Sequence, residues 1–183
     1  MKTYELEQYL NDKEMVEEKI QALIKEKVIK LDSSEGEVKG HIAKAGHNLD
    51  FVRAISPLDY SDWAVTACYY ACYYACYHAA LALILTKNYS SKNHLATLLV
   101  LIKEFYKKGL DKEDIEVLSS FLDYHDILFY VESKNKREDA AYSTKTRFDK
   151  SEVEQLRIKA ALFVSKIRLI LKNTYQLNKQ VGG

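Results

Sequence analysis

A single proline, Pro57, interrupts this 183-residue chain, and only six glycines accompany it. Proline removes a backbone donor and glycine is the usual residue of tight turns, so their scarcity disfavours hairpins, sheets and flexible linkers. The apolar spacing agrees with what remains, which is helix. Within 14–31, Val16, Ile20, Leu23, Ile24 and Val28 fall on one stripe, the pattern of an amphipathic helix. Over 37–55, Ile42, Ala45, Leu49 and Val52 make a narrower seam that ends ahead of Pro57. Asp59 or Ser61 can cap a helix running to about residue 87. "KNYSSKN" then reads as a turn, with Ser90 or Ser91 as the next cap. Leu95, Leu98, Leu99, Ile102 and Phe105 continue as helix to a stop at Gly109. Asp111 opens a helix through Ile115, Leu118, Leu122 and Phe129, and a last one, 150–176, carries Val153, Leu156, Ala160, Val164, Ile167 and Leu171. The expected fold class is all-α. Four to five core helices form a bundle over 37–176, with 1–36 as an N-terminal helical extension and 177–183 as a disordered tail.

Charge narrows the function classes. The formal net charge is +1, so the chain as a whole is no polycation. Residues 166–180 hold Lys166, Arg168, Lys172 and Lys179 with no acid, which suits the negative end of a C-terminal helix dipole. No apolar run approaches the roughly 20 residues that span a bilayer, and the polar, acidic "MKTYELEQYL" is no secretory signal. Three cysteines within nine residues make no disulfide framework. A cytoplasmic, reduced protein without membrane attachment is expected.

The most unusual stretch is "ACYYACYYACYH", residues 67–78. At 100° per residue, Ala67, Ala71, Ala75 and Ala79 share one half of a helix with Cys68, Cys72 and Cys76. Tyr69, Tyr70, Tyr73, Tyr74 and Tyr77 take the other half with Trp63, and His78 lies at the border. Cys68 and Cys76 stand about 12 Å apart along the axis, whereas sulfurs on one zinc sit within roughly 4 Å of each other. The thiols therefore read as small hydrophobes on a wall that lets a neighbouring helix come close. The tyrosines fit either of two places, an intramolecular core or the lining of a subunit interface or cleft. His125, in "DYHD", does not converge with its neighbours on a helix, and His41 and His47 are no i,i+4 pair, so no metal and no cofactor is indicated.

These segments, in order, resemble the HEPN (higher eukaryotes and prokaryotes nucleotide-binding) domain family, in its stand-alone prokaryotic branch. The resemblance rests on "HIAKAGHNLDFV" (41–52), "YYACYHAALALIL" (73–85), the "KNH" of Lys92–His94, "REDAAY" (137–142) and "AALFVSKI" (160–167). It implies a bundle that homodimerises around a cleft. Some members of that family cleave RNA without a metal, others pair with a nucleotidyltransferase in a toxin–antitoxin module, and others have no established chemistry. The nuclease members use an arginine followed by a histidine, the histidine transferring protons and the arginine steadying phosphate charge. Here Arg137 is followed five residues on by Tyr142, and Arg53, Arg147, Arg157 and Arg168 have no histidine in the next seven residues. A phenol with an ordinary pKa near 10 is a poor proton shuttle at neutral pH. Where the non-nuclease members have Ala-Asp-Tyr, this chain has Ala140-Ala141-Tyr142.

The expected function is therefore a dimeric, non-catalytic component of a toxin–antitoxin or defence-type module, binding a nucleotide, RNA or a nucleotidyltransferase partner. The alternative is a ribonuclease with a non-standard site built from Arg137, Tyr142 and His78. Arg137, Lys134, Lys136 and Tyr142 are the candidates for receiving phosphate or nucleotide, with His94 at a helix start as a further anion contact. The same basic stretch also reads as a solvated connector. His78 reads either as a substitute catalytic group or as a core histidine satisfied by a hydroxyl or carbonyl. Tyr69, Tyr70, Tyr73, Tyr74 and Tyr77 are the candidates for the dimer face or cleft.

Overall fold

Side-chain caps decide where the helices start. Asp12 accepts from Met15 N at 2.9 Å, Ser34 from Glu37 N at 3.4 Å and Asn93 from Ala96 N at 2.9 Å. Asp111 and Asp114 cap each other's backbone, Asp114 N donating to Asp111 Oδ1 at 3.0 Å and Asp111 N to Asp114 Oδ2 at 2.8 Å. The computed structural model describes residues 3–32, 34–57, 61–127 and 150–181. Its helices are α1 (Thr3–Asn11), α2 (Lys13–Lys25), α3 (Glu35–Ile55), α4 (Ser61–Leu85), α5 (His94–Phe105), α6 (Lys112–Ile127) and α7 (Lys150–Val181). Among the described residues the fold is all-α apart from one two-stranded sheet.

That sheet is a departure from the sequence reading. β1 (Ile29–Leu31) and β2 (Tyr89–Ser91) pair antiparallel, with Ile29 opposite Ser91 and Leu31 opposite Tyr89. Residues 26–31 are thus not the end of a helix. α2 closes with Lys27 in the left-handed region at φ 60°, Lys27 N donating to Ile24 O and Val28 N to Leu23 O. This pair of hydrogen bonds is the usual helix stop with a left-handed residue, but a lysine fills the place where glycine would have announced it. Ser91 is likewise not a helix cap. It lies in β2, where its hydroxyl donates to Val28 O at 3.1 Å and accepts from Asn93 N at 3.0 Å, leaving Asn93 to cap α5. α5 stops at Phe105, ahead of Gly109, and α7 continues as helix to Val181, through the first part of the expected tail.

α4 is the central element. It packs most extensively on α3 and then on α7, and it also touches α5, α6 and β2. Cys68, Cys72, Cys76, Ala75 and Ala79 are fully buried, consistent with a small-residue face that admits a close neighbour. One continuous core joins Leu6 and Leu10 of α1, Val16 and Ile20 of α2, Ile29 of β1, Leu98 and Leu101 of α5, and Phe163 and Ile167 of α7. Residues 3–32 therefore share the bundle's core, and β1–β2 pairing ties them to the α4–α5 connection.

Candidate functional site

The tyrosine row divides. Tyr73 and Tyr77 are 1% and 7% exposed and fill the core, while Tyr70 and Tyr74 are 39% and 42% exposed along the adjoining ridge of α4. The Tyr69 side chain lies outside the described residues. Tyr73 and Tyr77, one turn apart, stack almost parallel at 5° with centroids 6.1 Å apart.

Histidines sit at both ends of this stack. His94, the first residue of α5, approaches the Tyr77 ring to 4.2 Å between centroids, and Tyr73 Oη lies 2.8 Å from its Nε2 and also against its Nδ1. The phenol donates to whichever ring nitrogen lacks the proton. Asn93, as the cap of α5, fixes where His94 leaves the backbone. At the other end His78 lies 6.2 Å from Tyr77 and 6.4 Å from Tyr74. It meets His41 of α3 across the helix crossing edge to edge, with Nδ1 atoms 2.8 Å and ring centroids 5.0 Å apart. The result is a run of rings, His94 to Tyr73 and Tyr77 to His78 to His41, that joins α5, α4 and α3.

Electrostatics make the imidazole pair neutral. Burial, then the neighbouring His41, then Lys44 push His78 down to about 4, and burial lowers His41 against the opposing pull of Glu37. A neutral imidazole accepts a hydrogen bond, takes a proton or binds a metal, but it does not act as an acid. With both rings neutral, one Nδ1–H donates to the other's Nδ1 lone pair. Tyr77 Oη is sealed in the core without a partner at bonding geometry. The neighbouring Thr97 hydroxyl, which weakly offsets the upward push of burial on the phenol, is committed to Asn93 O at 2.9 Å. The thiols are chemically quiet: all three are buried and free, and burial raises each of them, Cys72 to about 12.

Of the residues singled out in the sequence, His78, His94, Tyr73, Tyr74 and Tyr77 come together. Lys134, Lys136, Arg137 and Tyr142 lie outside the described residues, as does the side chain of His125. His41 is the member that spacing misses. Its signal is its place one turn before Ala45 on the α3 seam, which puts an imidazole on the packed side of that helix. Among the described residues no three His, Cys, Asp or Glu side chains gather as a metal site, and no helix is long and apolar enough to cross a membrane.

Fold and site together define an all-α bundle whose central helix carries a phenol–imidazole run between its neighbours. No protein-family model matches the chain. It is 31% identical over 140 residues to a Methanocaldococcus jannaschii protein named "Putative toxin MJ0142", an alignment spanning 75% of this chain and 84% of that protein. The chain belongs to the family of that protein.

Proposed function

We propose that the chain is the helical member of a HEPN-type toxin–antitoxin module, acting in the cytoplasm as a homodimer that recognises a nucleotide or a nucleotidyltransferase partner without cleaving RNA. The name carried by the relative supports the toxin–antitoxin setting. The residues that carry the HEPN resemblance support the rest: "YYACYHAALALIL" ends α4, and Asn93 and His94 of "KNH" cap and open α5. Exposed Ile158, Leu162 and Leu169 share one side of α7, an apolar stripe suited to pairing with a second copy.

The observation that carries the non-catalytic reading is the His41–His78 pairing. Metal-independent RNA cleavage needs an imidazole free to exchange protons with the 2′-hydroxyl and the leaving oxygen. His78 instead turns its Nδ1 to His41, and no histidine follows Arg137 in the sequence. The test is incubation of the purified chain, in excess and with EDTA, with single-stranded RNA. No cleavage is expected. Cleavage that Arg137→Ala or His78→Ala abolishes would establish the ribonuclease reading instead. Light scattering at micromolar concentration reads the dimer, and co-purification with a co-expressed nucleotidyltransferase reads the partner.

A further inference from the structure

Three large aliphatic side chains of α7 face solvent: Ile158 is 45% exposed, Leu162 66% and Leu169 58%. Phe163, Val164, Ile167 and Leu171 anchor the opposite side of the same helix in the core, so packing within the chain does not use this stripe. Ile158, Leu162, Ser165 and Leu169 follow at steps of four, three and four residues and lie within about 60° of one another around the helix. That is the spacing of a coiled-coil seam, placed on the outside of the bundle. We infer that a second copy of the chain docks on this seam, α7 antiparallel to α7, about a twofold axis that passes between Leu162 and Ser165. The inference rests on the homodimer reading above and adds the surface, the direction and the register.

A twofold pair needs a face complementary to itself, in which residue i meets j and j meets i. Centred between Leu162 and Ser165, antiparallel pairing sets Ile158 against the second copy's Leu169 and Leu162 against the second copy's Ser165. The outer contacts are then apolar on both sides, and at the centre a bulky side chain meets a small one. Charge selects the direction. Glu154 is the last acid of the chain, and Arg168, Lys172 and Lys179 follow it. Glu154 pairs with Arg157 yet is still 51% exposed, and an antiparallel partner brings it to the Lys172 end of the other copy. The same arrangement opposes the two helix dipoles, whereas a parallel one would set Lys172 against itself in the seam. The cations that border the stripe are drawn off it. Lys166 reaches back to Asp111 and Asp114. Arg168 lays its guanidinium against α3 at Gly46, where a Cβ would stand 2.6 Å from Nη2, so the absent side chain makes the room. Lys159 comes opposite the second copy's Lys166, whose charge Asp111 and Asp114 already offset. A single-helix seam about 25 Å long, from Gln155 to Lys172, lies at the small end of specific interfaces, so a Kd of about 10 µM is expected.

The full-length chain carries the test, because Gln155, Leu162 and Lys172 are all exposed and their replacement leaves the core alone. Gln155→Cys and Lys172→Cys chains, at about 50 µM, are treated with a short bismaleimide, each by itself and as a mixture. Cys68, Cys72 and Cys76 are buried and should stay silent. Only the mixture should cross-link into dimers, since like positions of an antiparallel pair lie about 25 Å apart. Light scattering of the wild type should show a dimer that dissociates on dilution through about 10 µM, and Leu162→Asp should weaken it at least tenfold with an unchanged circular dichroism spectrum. A dimer that survives Leu162→Asp and gives no cross-link in the mixture would overturn the seam and leave the homodimer reading standing. Cross-linking of either variant by itself would overturn the antiparallel register. A monomer at about 100 µM would overturn the homodimer reading and the seam together. A monomer that instead binds a co-expressed nucleotidyltransferase, and loses it on Leu162→Asp, would give the stripe to that partner and overturn the pairing.

Discussion

The cation of Lys166, halfway along α7, reaches back to the two carboxylates that open α6. Its Nζ lies 2.6 Å from Asp111 Oδ2 and 2.5 Å from Asp114 Oδ2. The Lys166 hydrogen bond is the largest cause, and the Asp114 backbone N–H the next, of an Asp111 carboxyl held at about 2 against an ordinary 3.8. Taken at face value, that lowering is worth about 2 kcal/mol at roughly 1.4 kcal/mol per unit. The face value is too large, because the Asp111 side chain is 57% exposed and water screens the pair. Asp114 is only 13% exposed, so the clamp is not negligible either. We expect a coupling of about 1 kcal/mol between Lys166 and Asp111.

A double-mutant cycle isolates it. Lys166→Met removes the charge and keeps the stem that packs along α7. Asp111→Asn removes the carboxylate and keeps an oxygen to accept from Asp114 N, so the helix cap survives. Urea unfolding of the wild type, both single variants and the double variant at pH 7 and 50 mM salt gives the coupling, which should at least halve in 1 M salt. The pH dependence has a definite sign. The folded pKa of Asp111 lies below the unfolded one, so its contribution is full above about pH 4 and fades as pH falls toward 2, and Lys166→Met should flatten that part of the profile. A coupling above about 2.5 kcal/mol would refute the discount for screening, and one below about 0.2 kcal/mol would refute the clamp itself.

Other expectations follow from single contacts. Tyr73→Phe leaves a His94 ring nitrogen without its phenol and should cost about 1–2 kcal/mol in urea unfolding. Phe163→Ala, deleting a side chain that is 2% exposed at the α7 face of the core, should cost about 3–5 kcal/mol. Lys27→Gly should stabilise by about 0.5–1 kcal/mol, because the left-handed φ of 60° is relieved at a position glycine adopts without strain. Ellman's reagent at pH 7.5 should label none of Cys68, Cys72 and Cys76 within minutes in the native protein and all of them in urea, since burial keeps the thiols protonated.

Helical periodicity finds the faces of each helix but not what covers them. The alanine–cysteine half of α4 is legible because its small residues recur every fourth position and all of them lie on one side. The tyrosine half is legible only as a half. On the helical wheel Tyr70 and Tyr77 differ by only about 20°, yet Tyr77 is buried and Tyr70 exposed. What separates them is about 10.5 Å along the axis, and the start of α5 brings His94 over Tyr73 and Tyr77. The ends of α2 and the β1–β2 pairing are hidden for a different reason. Lys27, Asn88 and Lys107 take left-handed conformations that composition assigns to glycine, so the chain turns where no breaker stands. His41 lies deeper still, since its partner is fixed by the crossing of α3 on α4, a relation between helices that no spacing within one helix contains.

That origin has a mechanical consequence for the site. The rings from His94 to His41 are in series, each held by the next, and the three helices they join share one dry core. A substitution at the α5 end therefore bears on the geometry of the His41–His78 pair through Tyr77, whose hydroxyl has no other anchor at bonding geometry. The tight packing of α3 on α4 works against any such shift, because interiors at native density move as bodies and not atom by atom. The imidazole pair should thus respond to changes that re-angle α3 on α4, such as enlarging Ala75 or Ala79, more strongly than to changes at the exposed Tyr70 and Tyr74.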